Sequence, residues 1–321
     1  MDNLCHTLVG AALGEAGLRK KTPLAMATLL IGANLPDVDA GSYAWGRTTA
    51  LGFRRGWTHG VLAMAVLPVV LAGAALAWDR LVRRRRSPAA EPALPVWLLV
   101  LAALSVWTHP LLDFLNTYGV RWLMPFSDRW YYGDTLFIVD PWIWLMLGSG
   151  VWLTRHRARR GRPGALAPAR LGLAATAAYV ALMGAGTLAG RRMAAGMLPG
   201  AVRFMVAPVP VLPVVRHVVA DLGDRYEHST VMLFPRPGVT GAMEAVGTGR
   251  ARPEALTAAR TPEGRVFLRW ARFPVFRVER EGPAAVVAIG DERYPGQPWA
   301  SVSIRTTQPV SLRPISSAEH P

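Results

Sequence analysis

The chain has 321 residues, is 51% hydrophobic and carries a formal net charge of +15 at neutral pH. Its one cysteine, Cys5, excludes an intrachain disulfide framework, and there is no CxxC metal motif, heptad series or internal repeat. Nucleic acid is set aside as a partner, because much of the excess basic charge lies in short clusters that border apolar stretches, the placement of cytoplasmic anchors under the positive-inside rule.

Two short apolar stretches come first, Leu4–Leu18 and Pro23–Pro36, separated by the basic cluster Arg19, Lys20 and Lys21. Either is too short to span a bilayer comfortably. Asp2 ahead of the first run, with basic residues after it, is not the pattern of a cleaved signal peptide. Four longer windows follow, Val61–Trp78, Leu94–Leu115, Leu136–Leu153 and Leu171–Ala189. They approach the roughly 17–25 apolar residues that a transmembrane helix needs. Charges vanish from the windows and pile up between them, in Arg80–Arg86 and Arg155–Arg162, which speaks against a soluble protein with buried helices. With all three basic clusters in the cytoplasm, the first segment descends from the outer face and the second climbs back. The four windows then alternate, leaving the remainder outside.

From about Arg191 the sequence changes character. Pro208, Pro210 and Pro213 make an extended, helix-hostile entry. Thr230–Phe234, Arg265–Val278, Ala284–Ile289 and Trp299–Ile304 read as short strands between Gly- and Pro-rich turns. Val266–Arg280 alternates partly with period two and is expected to be a half-buried strand with basic residues outside, or a surface facing lipid headgroups. The expected fold is therefore an α-helical multi-pass membrane domain, residues 1–190, followed by a small, mostly-β extracytoplasmic domain, residues 191–321. The lipid bilayer is its expected partner.

Ionisable groups at membrane depth are costly and usually serve a function or one another. On this path His6 lies near the outer end of the first segment, and Asp37 and Asp39 just beyond the second. His59 opens the third, His109 and Asp113 lie near the outer end of the fourth, and Asp134 and Asp140 flank the start of the fifth. The basic clusters alone set the path, yet all these residues emerge on one side. His109 and Asp113, four apart, share a helical face. Asp37-x-Asp39 follows Pro36, which biases Leu35 away from helix. Imidazoles with carboxylates are ordinary ligands for a divalent metal such as zinc, manganese or iron. The expected ligands are His6, Asp37, Asp39, His59, His109 and Asp113, more than one tetrahedral ion needs, so two ions are conceivable. His156, His217, His228 and His320 are read as bystanders.

These residues form an ordered set of motifs: His6-Thr7-x-x-x-Gly10, Leu35-Pro36-Asp37-x-Asp39, Arg55-Gly56-x-Thr58-His59-Gly60 and His109-Pro110-Leu111-Leu112-Asp113. Pro125-Phe126-Ser127 and Asp134-x-Leu136-Phe137-Ile138-Val139-Asp140-Pro141-Trp142 follow. The set resembles the membrane-bound metal-dependent hydrolases typified by the LexA-regulated inner-membrane hydrolase of enteric bacteria. The resemblance covers roughly the first 190 residues well and the β tail loosely. It implies a bacterial inner-membrane location and a reaction class without a substrate; on that location, the path set by the basic clusters makes the C-terminal domain periplasmic. Arg54 stands where many relatives carry His, which removes a ligand or base.

The expected chemistry is metal-assisted hydrolysis, with zinc or manganese activating water against a phosphoester or another ester, of a lipid or lipid-linked substrate. Arg55 is expected to stabilise developing negative charge, and Asp134 or Asp140 to orient water or a ligand His. Two other classes stay open: a transporter of metal ions or protons through the same acidic cluster, and a catalytically silent membrane scaffold.

Overall fold

The structure, a computed structural model, describes residues 1–240, 243–281 and 284–307. Helix α1 (Asn3–Glu15) is capped by Asp2, whose carboxylate accepts the Cys5 N–H at 3.0 Å. Helix α2 (Ala25–Gly32) has eight residues, about 12 Å of rise, well short of a bilayer core. Pro36 then opens a 3-10 stretch, Leu35–Trp45, which leads to α3 (Arg47–Phe53). Helix α4 (Val61–Trp78) continues through a π-helical turn, Asp79–Arg83, into α5 (Arg84–Arg86). Helices α6 (Pro95–Phe114), α7 (Pro141–Arg159) and α8 (Ala167–Met197) complete the helical part.

Among the described residues, three helices are long and apolar enough to cross a membrane: Val61–Arg86, Pro95–Phe114 and Ala167–Met197. The window Leu136–Leu153 is corrected in its start. Helix α7 begins only at Pro141, where Asp140 accepts the Trp142 and Ile143 N–H groups, and its last turn carries His156, Arg157 and Arg159. That polar end removes it from the spans recognisable by composition.

Close approach of α1, α2 and α6 depends on two glycines. A Cβ at Gly10 would lie 2.7 Å from the Leu29 carbonyl oxygen, and one at Gly32 would collide with the Ser105 hydroxyl. Helices α4 and α6 bury Leu71, Ala72, Leu98, Ala102 and Val106 together. Pro68 inside α4 has no N–H to offer the Met64 carbonyl, and the Trp107 indole of α6 donates to that oxygen instead, at 2.8 Å. Helix α1 packs Cys5, Val9 and Ala12 against Ile143 and Leu147 of α7 and Met183 of α8. At its C-terminal end Glu15 accepts from Arg155 at 2.7 Å, and Arg170 donates to the Ala16 carbonyl at 3.0 Å. The basic clusters thus gather at the ends of α1 and α7 remote from His6 and Asp140.

A mostly-β region follows. Strands β1 (Arg203–Val209), β2 (Leu212–Asp221), β3 (Arg225–Met232) and β4 (Gly238–Val239) form a sheet in that order, and β5 (Glu244–Gly247) also pairs with β3. Helices α9 (Pro253–Arg260) and α10 (Pro262–Trp270) precede an antiparallel sheet of β6 (Pro274–Glu281), β7 (Ala284–Asp291) and β8 (Ser301–Thr307), with Phe276 opposite Ile289 and Val287 opposite Ile304. The expected single strand over Val266–Arg280 is wrong in its first half, which is α10. Thr261 accepts the Gly264 N–H at 3.0 Å, Pro262 opens the first turn, and Gly264, Phe267 and Trp270 fall on one buried face at helical spacing. Two strands, β1 and β2, occupy the segment that the prolines marked only as extended.

The described chain divides into two compact units. One takes residues 1–199 and 204–218 with the described part of 229–242, the other residues 200–203, 219–228 and those from Met243 onward. The boundary falls past residue 190 because α8 runs to Met197 and its Ala194 packs on Val206, Val218 and Val231. His320 lies outside the described residues.

Candidate metal centre

Four side chains from three separate elements meet where α4 begins and α6 ends. His59 precedes the first residue of α4 in a tight turn, its N–H and that of Gly60 donating to the Gly56 carbonyl at 3.1 and 2.7 Å. His109 and Asp113 lie one turn apart in α6, and Asp37 comes from the 3-10 stretch after Pro36. The Asp37 Oδ1 is 3.6 Å from His109 Nε2 and 4.0 Å from His59 Nε2. Asp113 Oδ2 is 3.2 Å from His59 Nε2 and 3.5 Å from His109 Nε2. One donor atom from each of the four lies within 4.8 Å of every other. A tetrahedral ion with donors at about 2.0–2.1 Å has edges of about 3.3–3.4 Å, inside the range of these separations.

The hydrogen bonds behind the cluster set which way the imidazole lone pairs face. His109 Nδ1 is 2.7 Å from the Ala33 carbonyl oxygen. A carbonyl only accepts, so Nδ1 carries the proton and Nε2 keeps its lone pair for the cluster. His59 Nδ1 lies 2.9 Å from Thr58 Oγ1 and 3.3 Å from Asp39 Oδ2. The Thr58 hydroxyl donates to that same Asp39 oxygen at 2.7 Å, so it can only accept from the ring. His59 Nε2, too, is left as an acceptor. His59 Nε2, His109 Nε2 and Asp113 Oδ2 are all buried without a hydrogen-bond partner. Buried polar atoms are seldom left so. Three convergent acceptors of this kind, with a carboxylate beside them, fit a divalent cation.

Asp39 therefore stands behind His59 and not beside Asp37. Its Oδ2 accepts from Thr58 and from the Arg55 N–H at 2.8 Å, and its Oδ1 from Arg54 Nε at 3.4 Å. Burial by itself raises the pKa of both Asp37 and Asp39. For Asp39, hydrogen bonding from His59 Nδ1, the Thr58 hydroxyl and the Arg55 N–H outweighs it and holds the carboxyl below the ordinary carboxylate range.

His6 lies at the margin of the cluster. Its ring stacks on His109 with centroids 3.7 Å apart, and its Nε2 is 3.5 Å from Asp113 Oδ1. The same Oδ1 receives the Met1 α-amino group and, at 3.0 Å, Arg55 Nη2. Arg55 is buried, has a left-handed backbone (φ 51°), donates to Asn116 Oδ1 at 3.2 Å, and lies over the Tyr118 ring at 4.6 Å. Gly56 follows it because a Cβ there would fall 2.6 Å from the Arg121 guanidinium. Sequence reading missed Thr58 as an orienting group, Asn116 and Tyr118. Asn116 lies three residues after Asp113, and that spacing was the available signal for it.

Asp134 and Asp140 are engaged elsewhere. Asp134 pairs with Arg191 at 2.9 Å, and its carbonyl accepts from Thr187. Asp140 caps α7 with one oxygen and accepts from the Tyr179 hydroxyl at 3.0 Å with the other. Their expected role beside a ligand histidine is not what these contacts provide. Among the bystanders, His228 lies 3.3 Å from Glu292 in the second unit.

Comparison with known proteins returned no curated protein and no solved structure that matches. The YdjM inner membrane protein family does match, over residues 1–193. That span is more than half of the chain and contains α1 to α7, all but the last turn of α8, and every residue of the cluster. The chain, a helical membrane region followed by a mostly-β domain, belongs to the YdjM inner membrane protein family.

Proposed function

We propose that the protein is a metal-dependent hydrolase acting at the outer face of the inner membrane on a phosphoester or other ester, in a lipid or lipid-linked substrate. The observation that carries this reading is the convergence of three buried, unpartnered acceptors, His59 Nε2, His109 Nε2 and Asp113 Oδ2, with the Asp37 carboxylate. His59, His109, Asp113 and Asp37 would hold the ion, zinc or manganese by donor type. When bound, such an ion lowers the pKa of water and polarises an ester oxygen.

The surrounding residues have positioning roles. The Ala33 carbonyl and the Thr58–Asp39 pair hold the two imidazoles in the tautomer that presents Nε2. Arg55 neutralises the far oxygen of Asp113 and, from the same place, supplies positive charge beside the reacting group. His6, stacked on His109, serves as a further donor at the margin. A membrane-borne ester is favoured because α6, which carries His109 and Asp113, and α4, which begins two residues after His59, are apolar spans. A periplasmic location for the cluster and for the β domain follows if the basic clusters, at the other ends of α1, α4 and α7, stay in the cytoplasm.

Elemental analysis of the full chain purified in detergent tests the reading, together with hydrolysis of phospholipids and simple phosphoesters in added zinc or manganese. The expected result is tightly held metal in the wild type and none in a His59→Ala/His109→Ala variant. Equal metal content in the two would sink the assignment.

A further inference from the structure

We infer that Arg54 is a built-in second cation, which limits this site to a single divalent ion although its donors could otherwise serve two. The inference deepens the hydrolase reading and rests on the metal site proposed there. Three oxygens from separate positions converge on one guanidinium. Arg54 Nη2 lies 3.4 Å from Asp37 Oδ1, its Nε lies 3.4 Å from Asp39 Oδ1, and its Nη1 donates to the Tyr43 hydroxyl at 3.3 Å. Two carboxylates and a phenol oxygen form an all-oxygen set of the sort that suits manganese or magnesium. Asp37 belongs both to this set and to the His59–His109–Asp113 group. A carboxylate shared between two adjacent ion positions is one way to hold two ions at the spacing of about 3.5–4 Å found in two-metal centres. In this chain the second position is taken by the side chain of Arg54.

Charge leads to the same conclusion. Asp37, Asp39 and Asp113 face two guanidiniums, Arg54 and Arg55, so with neutral imidazoles, and leaving out the Met1 α-amino group that also contacts Asp113, the side chains sum to −1. One divalent ion brings that to +1. A second would bring it to +3 in a site whose ligands are largely buried, and unbalanced buried charge is strongly unfavourable. Without Arg54 the sum is −2, and two ions leave only +2. The Arg54 side chain is one-fifth exposed, so a substitution there reaches solvent without opening the core.

The experiment is metal counting on the full chain in detergent, stripped with chelator, reloaded with manganese and desalted. Manganese per chain is measured by elemental analysis, and paramagnetic resonance distinguishes isolated from coupled ions. The wild type and Arg54→Lys, which keeps the charge, are expected to hold about one ion with the isolated-ion spectrum. Arg54→Ala, checked for monodispersity, is expected to rise to about two with a spin-coupled spectrum. Two ions in the wild type, or one in well-folded Arg54→Ala, overturns the inference. A wild type that holds none strikes the hydrolase reading beneath it.

Discussion

Asp113 and Asp140 are both buried carboxylates in the apolar half of the chain, both adjoin a helix terminus, and both are site candidates on sequence grounds. Their surroundings differ in one respect. Asp140 uses one oxygen on two backbone N–H groups and the other on the Tyr179 hydroxyl. Asp113 has one oxygen engaged by cations and the other, Oδ2, facing two imidazole nitrogens that are themselves unpartnered. Burial of an ionisable group does not by itself mark a site. Several lone pairs that converge with nothing in the protein to accept from do, because leaving each so costs about 1–3 kcal/mol unless a ligand takes them.

Substitutions can break or sharpen that contrast. The largest effect is expected from His59→Ala or His109→Ala, each removing one of the unpartnered acceptors, with loss of stoichiometric metal in elemental analysis. Asp39→Asn keeps the shape behind His59 but removes the charge. Metal affinity in a chelator competition should fall about 10–100-fold, the usual cost of losing such an orienting partner, with folding retained. Asp140→Ala should leave metal content unchanged and lower thermal stability in detergent by about 1 kcal/mol, the loss of a helix cap, whereas Asp140→Asn should be close to neutral. If Asp140→Ala emptied the metal site instead, the distinction between the two carboxylates would be lost.

The cluster is partly legible in the sequence. Helical spacing put His109 and Asp113 on one face, and the basic clusters placed His6, Asp37, His59 and His109 on one side of a membrane path. Asp39 could not be separated from Asp37 in this way. The two lie two residues apart in the same motif, and only the 3-10 geometry sends one to His109 and the other behind His59. Asp134 was misleading for a related reason, since its partner Arg191 lies 57 residues on, at the far end of α8. In the β domain, alternation hid α10, because VFLRW satisfies a period of two about as well as a helical one over so short a run. The cap at Thr261 and Pro262 was the better guide.

The chain's own order of residues determined the apolar spans, the basic ends and the split between a helical region and a mostly-β one. Hydropathy and charge act over neighbouring residues, so a local reading captures them. Tertiary structure decided which polar atoms remain available. His109 presents Nε2 because a carbonyl 76 residues away holds its Nδ1, and Arg54 faces both Asp37 and Asp39 because a turn brings it back across them. The direction of a lone pair depends on partners remote in the chain, and no window of sequence contains them.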